Sequence, residues 1–183
     1  MGTANKVQFG LKNVHFFPLT GADTYGAAVA IPGGVNINLA ARGESTEFYA
    51  DNIVYYASVA NNGYEGDLEL AKITDDVLTG IFGHTLGATS KVLTEHADVE
   101  PTKGALAFQI DGDADEEYYI IYVCNFGRPA ITSGTITNTK EPVTATVSIT
   151  AAPRADGKVM ARTTADTPTA TKSGWFTTPF VEA

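Results

Sequence analysis

The chain has 183 residues, which suits one globular domain or one domain with an extended arm. A formal net charge of -9, from 12 Lys and Arg against 21 Asp and Glu, works against tight nucleic-acid binding, which relies on cationic side chains to displace counterions. The single cysteine, Cys124, leaves no disulfide framework and no zinc spacing. Residues Met1 to Lys6 lack the basic patch and apolar run of a signal peptide. No apolar stretch approaches the length that crosses a bilayer. These features predict a protein made and kept in a reducing, soluble compartment.

Period-2 alternation dominates the chain and predicts a mainly β fold of antiparallel strands. Val7, Phe9 and Leu11 share one face, and the apolar phase flips at Val14 and Phe16, which predicts a bulge near Lys12 and Asn13. Val35, Ile37 and Leu39 alternate with Asn36 and Asn38. Gly43 to Gly63 shows no clean alternation before Ile53 and carries Phe48, Tyr49, Tyr55 and Tyr56. It reads as a long connection, and its rings argue against disorder. An arm that buries those rings on another subunit explains both properties. Leu68 and Leu70 then alternate with Asp67 and Glu69.

One helix is expected, over about 74–83. Thr74 is placed to cap it through its hydroxyl, and Asp75 and Asp76 favour its N-terminal dipole. Val77, Leu78, Ile81 and Phe82 form its apolar face, and Gly83 suits its end. Leu106, Phe108 and Ile110 alternate with Gln109 and Asp111 as a half-buried strand. Tyr118 to Phe126 is apolar on both faces, which predicts a central strand covered on each side. Val143, Ala145, Val147 and Ile149 alternate with Thr144, Thr146, Ser148 and Thr150. After Ala165 the chain is rich in Thr and Pro and ends in Trp175, Phe176 and Phe180. The expected division is a main domain over 1–165, with a long loop at 43–63, and a C-terminal arm or extension over 166–183. Subunit contacts are expected at Phe48, Tyr49, Asp51, Asn52, Tyr55, Tyr56, Trp175 and Phe176.

Chemistry-bearing motifs are scarce. His15, His84 and His96 lie at no metal-ligand spacing, and no HExxH, GxSxG, P-loop or GxGxxG occurs. Asp111, Asp113 and Asp115 are a weak calcium candidate. An EF-hand loop needs Gly at its sixth position and Glu at its twelfth, where this chain has Glu116 and Tyr122. A solvated hairpin tip explains the three acids more simply. Glu65, Asp67 and Glu69 read as one face of a strand before they read as glycosidase carboxylates. Cys124 falls in a buried strand and reads as a small core residue. No catalytic residue, metal or cofactor is expected, and from the residues alone the chain is an acidic, β-rich assembly protein.

Several ordered strings carry a more specific likeness. Asn5–His15 (NKVQFGLKNVH), Val29–Gly33 (VAIPG) and Val35–Leu39 (VNINL) are followed by Phe48–Tyr56 (FYADNIVYY). Asn61–Tyr64 (NNGY), Gly66–Glu69 (GDLE), Gly127–Pro129 (GRP) and Ile149–Arg154 (ITAAPR) come after. Together they resemble the major tail proteins of siphophages of Gram-positive hosts, from about Asn5 to Arg154. The resemblance implies a β-sandwich or split barrel with a flanking helix. It implies six subunits in a ring, rings stacked into a virion tail tube, and DNA passing through the lumen without specific binding. Tape measure, terminator and distal tail proteins are the implied partners, with synthesis in the bacterial cytoplasm. A long loop of the family reaches neighbouring subunits, and residues 43–63 hold its position here. One polar strand face, either Asn36 with Asn38 or Asp67 with Glu69, is expected to line the lumen. The competing readings are an Ig-like or lectin-like surface binding module, another virion part such as a tail terminator or head-decoration protein, and a hydrolase on a β scaffold.

Overall fold

The computed structural model describes residues 8–111, 116–135 and 142–182. The fold is mainly β, with antiparallel pairing and two short helices. In chain order the elements are β1 (Phe9–Pro18), β2 (Val29–Ala30), β3 (Gly34–Ala41), β4 (Ser45–Ala50), β5 (Ile53–Val59), β6 (Tyr64–Leu70) and α1 (Asp75–Gly80). They continue with β7 (Thr85–Leu86), β8 (Leu93–Thr94), β9 (Gly104–Asp111), β10 (Glu117–Phe126), β11 (Ala145–Ala152), β12 (Met160–Arg162) and α2 (Thr169–Gly174).

The main sheet runs β2-β1-β9-β10-β11-β6-β3, with β12 also paired to β10. It curls until β1 lies beside β3 without a ladder between them, so the barrel is split along that seam. Alternation explains the curl. The inward residues of each strand, among them Phe16, Leu68, Leu70, Leu106, Phe108, Ile121, Val147 and Ile149, meet in one buried cluster. Each such side chain stabilises the fold by roughly 1.5–3 kcal/mol when taken out of water.

The bulge in β1 is where the phase flip put it. Register shifts fall between Phe9 and Leu11 and between Lys12 and His15, and Asn13 takes a positive φ of 50°. A second bulge, which the alternation did not reveal, lies between Gly34 and Asn36 and turns Val35 outward to 49% exposure. The strand over Tyr118 to Phe126 is covered on both sides, as expected, by the barrel core and by a second apolar cluster.

Helix α1 plugs one end of the barrel. Val77, Ile81 and Phe82 are buried there, and the Phe82 ring stands edge-on to Phe126 at 6.3 Å. Thr74 is the N-cap, but its hydroxyl makes no capping bond. Gly83, at φ 68°, ends the helix and lets the His84 N–H reach back to the Leu78 carbonyl.

Two expectations are corrected by packing. β9 is not half-buried: Ala105, Ala107 and Gln109 on its outer face are also buried, and Gln109 accepts a hydrogen bond from the Asn13 amide at 2.6 Å. What covers that face is the C-terminal segment. Trp175, Phe176, Phe180 and Val181 pack over Phe17, Ala105, Ala107, Ile120 and Tyr122. Trp175 is 2% exposed, stacks on Phe180 at 5.1 Å and donates its indole N–H to the Tyr119 carbonyl. Phe176 sits against Tyr118 and His15. The stretch after 166 thus lies on the barrel as an extension, with Trp175 buried and so closed to another subunit, and Phe176 half-buried. The alanines at alternate positions of β9 leave the room the indole fills.

Candidate functional site: an exposed ribbon and a polar wall

Residues 43–63 form a β-hairpin instead of a loop. β4 and β5 pair antiparallel, with Ser45 opposite Val59 and Ala50 opposite Ile53. Asp51 and Asn52 make the two-residue turn, at φ 51° and 61°. Both signs are positive, as in the hairpin turn whose twist matches the strands, and short Asx side chains tolerate that region. Those two residues thus have a structural task at the tip. At the root, the Gly63 Cα stands where an added Cβ would lie 2.1 Å from the Ala151 carbonyl, at φ 93°. Only glycine lets the ribbon leave the barrel there.

The ribbon is exposed along nearly its whole length. Phe48, Tyr49, Ile53, Tyr55, Tyr56 and Val59 are between 59% and 79% exposed. Phe48 lies directly opposite Tyr56, while Tyr49 lies opposite Val54, one position along and on the other face. A shift between Phe48 and Tyr49 leaves Tyr55 as the extra residue. Apolar side chains therefore occupy both faces, which is why period-2 alternation fails here. A two-stranded hairpin alone is marginal in water, and apolar patches of this kind mark interaction sites.

The second feature is a continuous polar wall. Asn36 pairs with Glu69 and Asn38 with Asp67 across β3 and β6. Glu69, Asp67 and Glu65 pair in turn with Thr146, Ser148 and Thr150 of β11, and Thr150 with Asn125 of β10. The two lumen alternatives, Asn36 with Asn38 and Asp67 with Glu69, are thus parts of one face. It carries three carboxylates and no Lys or Arg at these positions. Thr146, Ser148, Thr150 and Asn125 extend the wall beyond the lumen candidates of the sequence, where only the Thr/Ser alternation of β11 is visible.

The remaining candidates do not converge. Asp111 is paired with Lys12 across β1 and β9. Asp113 and Asp115 lie outside the described residues. Among the described residues no three His, Cys, Asp or Glu side chains gather as metal ligands. Cys124 is fully buried, and burial pushes its thiol up to about 12. A thiol so held is a poor nucleophile at neutral pH. Among the described residues no helix is long and apolar enough to cross a membrane.

No protein-family model matches this chain. No curated protein matches it at a significant level.

Proposed function

We propose that this chain is a structural subunit, the major tail protein of a long-tailed phage of Gram-positive bacteria, and not an enzyme. Six copies close into a ring, and rings stack into the tube through which DNA leaves the virion. Tape measure, terminator and distal tail proteins are its partners in the tail.

The observation that carries this reading is the β4–β5 ribbon, an apolar element with no partner among the described residues of its own subunit. A surface binding module has no use for such a projection, whereas a polymerising subunit needs one. Repeating contacts between unlike surfaces close into rings or extend as filaments. The polar wall supports the same reading. Carboxylates, hydroxyls and amides without cations give DNA phosphates no counterion-releasing contact, so DNA slides past.

Negative-stain electron microscopy of the concentrated protein at low and high salt tests the proposal. Hollow tubes of uniform diameter or stacked rings are expected. Single compact particles under every condition would favour the surface module.

A further inference from the structure

We propose that the open end of the barrel is the socket for the hairpin tip of a second copy of the chain. This inference rests on the self-assembly reading above and adds to it the acceptor surface.

Helix α1 closes one end of the barrel, but the other end stays open. An apolar cavity of about 280 Å³ lies there, walled by Ile37, Leu39, Phe108, Ile110, Tyr119 and Met160. Phe108 and Tyr119 stack nearly parallel at 5.3 Å and form a flat aromatic side. A cavity of about 150 Å³ already accepts a benzene ring, so this one has room for a large apolar side chain.

Size, charge and position all point to the hairpin. Its four rings, at 59–73% exposure, offer roughly 500 Å² of apolar surface at ~200 Å² per ring. With Ile53, Val54 and Val59 that approaches the ~800 Å² that each partner gives to a stable interface. Ser45 to Val59 carries Glu47 and Asp51 and no cation. Arg162, half exposed and paired with Glu117 at 3.5 Å, stands in β12 next but one to Met160 at the cavity rim. Asp51 at the ribbon tip would then share Arg162 with Glu117 beside the socket.

The ribbon also leaves from the same end. Ala41 and Tyr64, the last pair of β3 and β6, are its base, and Tyr64 also lines the cavity. The ribbon stays exposed and supplies no residue to the lining of its own socket, so it is free to seek another copy's. Ile53, the first large apolar residue behind the turn, is the one that enters.

Two chains with one added cysteine each test this, with buried Cys124 left in place. Ile53→Cys protein is mixed with Met160→Cys protein, assembled, and oxidised with diamide. A control mixture replaces Met160→Cys by Asp76→Cys, at the α1 end. The expected result is a 53–160 linked dimer at least ten-fold more abundant than the 53–76 dimer. Assemblies that form without the 53–160 link would overturn the socket and leave the tube reading standing. A wild-type chain that never associates would sink both. Met160→Trp supplies a second readout, because it fills the socket from the rim. Assembly should fall at least ten-fold with the circular dichroism spectrum unchanged, and normal assembly of that variant would contradict the socket.

Discussion

The Trp175 indole N–H donates to the Tyr119 carbonyl at 3.2 Å, which ties the last turn of the chain to the central strand of the sheet. The indole lies in a seat made by small residues, with Ala105 and Ala107 fully buried in the same cluster. Trp175→Ala should therefore lower the stability of the monomer by about 3–5 kcal/mol, the range for emptying a buried aromatic site. Urea unfolding checks this. A change confined to assembly, with the midpoint unmoved, would mean that Trp175 serves another subunit after all.

The hairpin predicts the opposite pattern. Phe48 and Tyr56 face one another on an exposed ribbon. Replacing both by Ser removes apolar surface that touches no part of the barrel core. The unfolding free energy should change by less than about 1 kcal/mol, as for other surface positions. Assembly, followed by light scattering, should be lost.

Charge on the polar wall leads to a third prediction. Asp67 and Glu69 lie in the middle of a face with no cation among its outward positions. In assembled virions, Asp67→Lys with Glu69→Lys should leave tubes intact and slow DNA ejection, because each Lys gains a phosphate contact. Unchanged ejection kinetics would place the lumen on another face. The chain's net charge of -9 adds a salt effect. Raising salt screens repulsion between like subunits, so assembly should strengthen with ionic strength.

Cys124 sets a pH dependence. Burial raises its thiol from 9.0 to about 12 in the folded chain. The folded state then keeps a proton that the unfolded state gives up, so stability falls as pH rises between those values. Burial raises Tyr25, Tyr119 and Tyr122 in the same direction, so the wild type alone does not isolate the thiol. Melting temperatures at pH 8 and pH 10.5 should drop less for Cys124→Ala than for the wild type. Equal drops would assign the alkaline loss to the tyrosines.

Much of the barrel was legible in the sequence because its strands have one apolar face each. Leu68 and Leu70 against Asp67 and Glu69 fixed both the core side and the polar side of β6. Asn13 could be placed as a bulge because a phase flip needs an extra residue. The ribbon was not legible as strands, since Phe48 and Tyr49 point to opposite faces and both are apolar. Its Asp51-Asn52 turn also lacks the glycine of the stronger hairpin signals. Trp175 was misplaced for a different reason. A terminal aromatic cluster without periodicity does not name its partner, and the vacancy it fills is written in the alanines of β9, about seventy residues upstream.

The most direct test of self-assembly through the ribbon is native mass spectrometry of the purified wild-type chain beside the Phe48→Ser/Tyr56→Ser variant. The prediction is a six-chain species and its multiples for the wild type, and a monomer for the variant. A wild-type chain that stays monomeric at every concentration and salt would contradict it, as would a variant that still forms the six-chain ring.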